Sequence, residues 1–270
     1  MVREFCDAIN IPDNARGVPT MSSTICAQFV LQNGAEPILH LTMRDRNQIA
    51  IQSELYGAYA LGVRNILFVA GDDVCFGSHP EAKMVYDLDT IKALSLVKSL
   101  STGVDLSGEE LEGAPDFYLG ATINPYDEPL GEVMKRTMRK REAGAQFFQT
   151  QAIFDTKRLE EFMNLIDSDL KILAGIIPLR DSEMAEFMNK FVPGIHIPNE
   201  FIKRLMNAGR ELEDEARMNA MKAEGIQIAL EIIEVVREID GIDGLHLMGV
   251  GWTESVAELV KAANMYPRPE

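Results

Sequence analysis

Four side chains with chemistry to offer, His40, Arg44, Asp45 and Asp72, fall within one 38-residue stretch, EPILHLTMRDRNQIAIQSELYGAYALGVRNILFVAGDD, Glu36 to Asp73. An imidazole, a guanidinium and two carboxylates can orient a polar ligand and stabilise a charge that develops during reaction. The stretch reads as strand, polar loop, amphipathic helix, strand, then a Gly-Asp-Asp turn. In parallel α/β proteins ligand chemistry collects at the C-terminal ends of strands, where the loops converge. The spacing therefore predicts one site, with these residues around it.

Other residues invite two readings. His40, inside an apolar strand, is either a satisfied core histidine or a ligand contact. Asp72 either caps the turn that follows it or faces a ligand, and Asp73 suits the capping role better. Lys135, Arg136, Arg139, Lys140 and Arg141 share one helix of an acidic protein, as a solvated basic face or an anion site. Gln151 closes the strand QFFQTQ with an amide that both donates and accepts. Four histidines without an HExxH pair give no metal site.

These residues need a scaffold, and apolar periodicity supplies one. Strands are expected at Asp7–Ile11, Pro37–Thr42, Asn65–Ala70, Phe117–Ile123, Gln146–Gln151, Ile172–Ile177 and Gly244–Met248. Helices are expected at Gln48–Leu61, Thr90–Leu100, Glu128–Ala143, Lys157–Ile166, Ser182–Phe191 and Glu254–Ala263. Asn199–Asp240 is expected to hold two helices, broken at Gly209 or Gly225. Alternating βα units imply a parallel sheet. The apolar runs NILFVA and ILAGII indicate strands buried on both faces. No linker divides the chain, so residues 1–270 are expected to form a single α/β barrel domain. Seven strands are one short of a (β/α)8 TIM barrel, and the missing βα unit is the first.

Composition narrows the function classes. The chain carries 42 acidic and 26 basic residues, a formal charge of −16. Such a charge disfavours non-specific binding to nucleic acid or anionic membranes. Cys6, Cys26 and Cys75 form no CxxC pair and fit a reducing compartment. No apolar run approaches the ~20 residues that span a bilayer, and no secretory signal opens the chain. A cytoplasmic location is expected, with no membrane and no nucleic-acid partner.

The ordered motifs DAINIPDN with MSS, HLTMRDRN with IAIQSELYGAYALGVRN, GDD, HPEAKMVYDLD, FYLGATINP, REAGAQFFQTQAIFD, GIIPL with VPGIHIP, and GLHLMGVGW resemble the methylenetetrahydrofolate reductase family. They run from Asp7 to Trp252, and HPEAK…DLD looks most like the short reductases of anaerobic bacteria. The resemblance implies FAD-dependent reduction of 5,10-methylenetetrahydrofolate to 5-methyltetrahydrofolate, with NAD(P)H or a protein as electron donor. It implies Asp72 and Gln151 as catalytic residues. It places His40, Thr42, Ala70, Gly71, Asp72, Tyr86, Asn124 and Lys140 at FAD, and Gln151 with Phe187 or Met188 at the folate. An electron-donating or zinc-containing partner subunit and a homo- or hetero-oligomer are also implied.

Three departures stand out. The family's general acid, a glutamate in a Glu-x-x-Pro-Pro context on the first strand, has no counterpart, and Glu4 is not a substitute. Its loss would slow catalysis by a factor on the order of 10²–10⁴. An internal start of the sequence, a segment supplied by another chain, or a genuine variant would each explain it. Ala70 stands where some members carry arginine, and Pro12 where many carry threonine. Two rival readings follow: a flavin-free folate/corrinoid methyl-transfer barrel, and a non-catalytic subunit of a larger assembly.

Overall fold

The computed structural model describes residues 2–166, 169–192 and 194–267. Pro193, inside the VPGIHIP motif, lies outside the described residues. Seven strands make one sheet in chain order: β1 (Ala8–Ile11), β2 (Glu36–Thr42), β3 (Asn65–Val69), β4 (Tyr118–Ile123), β5 (Phe147–Ala152), β6 (Lys171–Ile176) and β7 (Gly244–Leu247). The pairs β1–β2, β2–β3, β3–β4 and β6–β7 are parallel. Helices α1 (Ser23–Gln32), α2 (Gln48–Ala60), α3 (Thr90–Leu100), α4 (Leu130–Glu142), α5 (Thr156–Met163), α6 (Ser182–Phe191), α7 (Asn199–Ala208), α8 (Asp214–Arg237) and α9 (Glu254–Ala262) connect or follow them. The fold is an incomplete (β/α)8 barrel of seven strands, as the alternation predicts. All seven strands match the expected positions to within a residue at either end. Helix α1, for which the sequence reading gave no element, is the addition.

Helix starts are set locally. Asn47, Asp89, Asp155 and Asp181 each accept a backbone N–H from the first turn of α2, α3, α5 and α6. The stretch Asn199–Asp240 is two helices: Gly209 ends α7, while Gly225 lies inside α8.

The chain forms two compact units. One comprises Cys6–Thr122 with Arg136–Phe148. Its core is built from fully buried Leu39, Leu41, Ile66 and Phe68 on β2 and β3, with Ile51, Leu55 and Leu94 from α2 and α3. Register pairs His40 with Leu67 and Leu67 with Gly120. Paired residues of parallel strands share a face of the sheet. On that face a Cβ at Gly120 would collide with the Phe147 ring, which stacks on Tyr118 at 5.2 Å.

The other unit takes the chain up to Phe5, Ile123–Lys135 and residues from Gln149 onward. Ile172, Ala174 and Ile176 of β6 are fully buried, and α8 covers that strand. Gly225 is what allows the approach, because a Cβ there would run into the Leu179 carbonyl oxygen. In β7, His246 registers with Gly175. Its Nδ1 is buried with no hydrogen-bond partner among the described residues, and burial pushes the imidazole down to about 4. Among the described residues no helix is long and apolar enough to cross a membrane.

Two outcomes follow from this packing. Gly225→Ala should cost about 1–3 kcal/mol by overpacking, read as a lowered urea midpoint. His246 is neutral in the fold and charges more readily when unfolded. Its contribution is therefore intact above its ordinary 6.5 and is lost as pH falls toward about 4. Between pH 7 and pH 5 the wild-type chain should lose more stability than His246→Phe, at up to ~1.4 kcal/mol for each pH step within the window. Equal losses in urea titrations of the two proteins would refute this assignment.

Candidate functional site

The loops that follow β1, β2 and β3 are joined by one guanidinium. Arg44 is 1% exposed. Its Nε and Nη2 donate to the two carboxylate oxygens of Asp45, at 2.6 and 2.7 Å. Nη1 reaches the Asp72 carbonyl at 2.9 Å, and Nη2 also reaches the Asn14 carbonyl at 3.0 Å. The Asp45 hydrogen bonds raise the arginine further above its ordinary value. Burial pushes the Asp45 carboxyl up, but the hydrogen bonds from Arg44 and Asn14, with the charges of Arg44 and Arg46, hold it below its usual range. A second pair reinforces the rim: Arg46 donates to both oxygens of Asp13. Asp13 in turn accepts the Thr42 N–H at 2.9 Å.

Glycines let these loops touch. Gly17, at φ +67°, lies against Val74 and Gly77, and a Cβ on Gly77 would strike the Gly17 carbonyl. Gly71, at φ +92°, leaves no room for a Cβ beside Thr42 and Arg44. Left-handed backbone with a neighbour this close is where glycine is required.

Within this setting the two aspartates of the Gly-Asp-Asp turn separate. Asp73 accepts the Cys75 N–H at 2.8 Å and caps the short turn that follows. Asp72 does not cap that turn. Its Oδ2 accepts the Arg16 backbone N–H at 2.8 Å, and the residue is exposed. Tyr86, at φ 43°, donates its hydroxyl to the Gly71 carbonyl. The Ala70 carbonyl accepts the Arg44 N–H. The structure thus gathers Ala70, Gly71, Asp72 and Tyr86 around Arg44.

Thr42 adjoins them, fully buried, with its hydroxyl donating to the Asp13 carbonyl. His40, two residues earlier on the same face, has its Nε2 2.8 Å from Asn10 Oδ1. Lys140, near the end of α4, donates to the Thr122 carbonyl of β4 at 2.7 Å.

The remaining predicted residues belong to the other unit. Gln151, in β5, has its Oε1 held by the Ala152 N–H at 3.0 Å. The Asn124 side chain accepts the Tyr126 N–H and donates to Asp127. Arg158 braces this loop by donating to the Pro125 carbonyl at 2.9 Å. Phe187 and Met188 are adjacent in α6 but differ: Met188 is core, 5% exposed, whereas Phe187 is 42% exposed and pairs with Phe191 at 5.0 Å.

Asn14, Asp13, Tyr126 and Gly194 were not singled out from the sequence. Asn14 and Asp13 lie in the quoted DAINIPDN motif, and their polarity just after a strand was the available signal. Tyr126 accepts the N–H groups of Phe154 and Asp155, both at 2.9 Å, and fastens the loop after β4 to the one after β5. Burial pushes its phenol up. Gly194, at φ +77°, approaches Asn124 and Gln151, which sequence spacing does not reveal.

A family model described as methylenetetrahydrofolate reductase matches residues 1–264. Methylenetetrahydrofolate reductase 2 of Schizosaccharomyces pombe is 25% identical over 247 residues, which cover 84% of this chain and 35% of that protein. A probable methylenetetrahydrofolate reductase (NADPH) of Caenorhabditis elegans is 22% identical over 254 residues, 92% of this chain and 35% of its own length. The chain thus spans about a third of the curated relatives it matches. Among solved structures, a Clostridium thermocellum protein described as binding two copies of 5-methyl-5,6,7,8-tetrahydrofolic acid superposes with a TM-score of 0.60. That match has 18% identity and covers 96% of this chain and 83% of the other, and it supports the fold. The chain belongs to the methylenetetrahydrofolate reductase family.

Proposed function

We propose that this chain carries out the reductase chemistry of its family, converting 5,10-methylenetetrahydrofolate to 5-methyltetrahydrofolate with FAD as cofactor. The observation that carries the reading is the exposed Asp72 carboxylate, oriented by the Arg16 N–H on a rim held by Arg44. The residues fit the cofactor in their donor chemistry: His40, Tyr86 and Lys140 offer an imidazole, a ring with a hydroxyl and an ammonium. Bound FAD would supply the hydride that reaches the methylene carbon.

The chain's own groups have separate tasks in this reading. Asp72 stabilises positive charge that develops on the folate, because a fixed carboxylate needs no reorganisation when the charge appears. Arg16 and Arg44 act on Asp72 by positioning it. Lys140 supplies positive charge for the cofactor phosphates. Thr42, committed to Asp13, serves the cofactor by holding the loop after β1. Gln151 orients the pterin ring, and the exposed Phe187 rather than the core Met188 packs against it. A single barrel domain over residues 1–270, a cytoplasmic setting, and NAD(P)H or a partner subunit as electron donor complete the proposal.

Protein incubated with FAD and then freed of unbound FAD by gel filtration should be yellow, bleach on reduction and recover its colour when 5,10-methylenetetrahydrofolate is added. Asp72→Asn should bind FAD but reoxidise with folate on the order of 100-fold more slowly. Protein that emerges colourless from the gel filtration overturns the proposal. If such protein still binds folate and passes a methyl group to a corrinoid, the flavin-free reading takes its place.

A further inference from the structure

Helix α1 turns an uncharged, apolar face to the outside of its unit. Charged residues make up 25% of the chain, yet none occurs from Gly17 through Ala35. Helices α2 to α9 each carry at least one charged side chain, whereas α1, STICAQFVLQ, carries none. Its buried residues are Ser23, Thr24 and Ala27. A surface helix ordinarily shows water its polar face. Here the exposed residues are Ile25, Phe29 and Gln32.

The direction of that face limits what can cover it. At about 3.6 residues per turn, Ile25 and Phe29 point roughly opposite to Ser23 and Ala27. Ser23 bonds the His40 carbonyl of β2, and Thr24 bonds Glu54 of α2. The sheet therefore lies behind α1 and α2 lies beside it. A further helix of the same barrel would sit on the other flank, at the half-buried Cys26 and Val30. Ile25 and Phe29 point away from all of these, so only another molecule can bury them.

A second copy of this chain suits the face best. With a formal charge of −16, two copies repel at long range, so they can meet only where no further like charges are pressed together. In a two-fold contact one patch meets itself, and a charge near the axis faces its own like. The outward face of α1 meets that condition. An unlike partner imposes no such condition, and a basic one would seek acidic side chains that α1 lacks.

We propose that α1 is the centre of a two-fold dimer interface, in which Ile25 and Phe29 of one copy pack against the same residues of a second copy.

Sedimentation equilibrium of the purified wild type should give twice the chain mass. The double variants Ile25→Glu/Phe29→Glu and Ile25→Lys/Phe29→Lys should each be monomeric, because like charges then meet across the axis. An equimolar mixture of the two should dimerise again. Ile49→Glu is the control: the residue is more exposed than either but lies on α2, and this variant should stay dimeric. Hydroxyl-radical labelling of the wild type needs no variant at all. Phe29 should be modified several-fold less than Phe76, although the two are almost equally exposed in the single chain, at 53% and 55%. A monomeric wild type, a dimer that survives the glutamate substitutions, or equal labelling of the two phenylalanines overturns the proposal. So does a mixture that stays monomeric, which would leave the face to an unlike partner.

Discussion

A buried guanidinium governs the architecture around the first three strands. Arg44 is removed from water, and a charge so placed is tolerable only when its donors are matched. Asp45, Asn14 and Asp72 supply the partners, and each comes from a different point along the chain. Because the side chain must satisfy all of them at once, the loops after β1, β2 and β3 cannot drift independently. Pairing of this kind adds little net stability compared with an apolar core of equal volume. What it secures is a single arrangement of loops that have no regular secondary structure of their own.

That arrangement explains how neighbouring aspartates of one turn come to differ. Asp73 spends its carboxylate on the backbone of its own turn. Asp72 has its main-chain carbonyl captured by Arg44 and its carboxylate met by an N–H from a loop 56 residues away. The local chemistry of the two side chains is identical, so the distinction is made entirely by which long-range partners reach them.

Much of the fold was legible because its signals are local. Continuous apolar runs such as NILFVA locate the strands, and Asn or Asp before a periodic run locates helix starts. Helix α1 escaped because its pattern is inverted: it buries Ser23, Thr24 and Ala27 while Ile25 and Phe29 remain exposed. Its hydroxyls serve neighbours instead, Ser23 bonding the His40 carbonyl and Thr24 bonding Glu54. Gly209 and Gly225 looked equivalent as breaks in the stretch 199–240. One ends a helix, and the other is packed against Leu179, a distinction only tertiary packing decides. The polar residues of the first site were readable from strand-end spacing. The part of Arg44 as their common partner was not, because spacing does not show which carbonyls converge on one side chain. Which of Phe187 and Met188 belongs to the core likewise depended on which face of α6 turns inward.

The meeting of Gly17 and Gly77 has a wider implication. Two main chains that abut without intervening side chains leave no slack to absorb an extra residue, so the length of either loop constrains the other. Change by insertion should be tolerated elsewhere, for example along the exposed segment from Ser78 to Met84. Here, descendants of this chain could alter one loop only by altering its counterpart in the same step, which makes the pair a single heritable unit despite their separation in sequence.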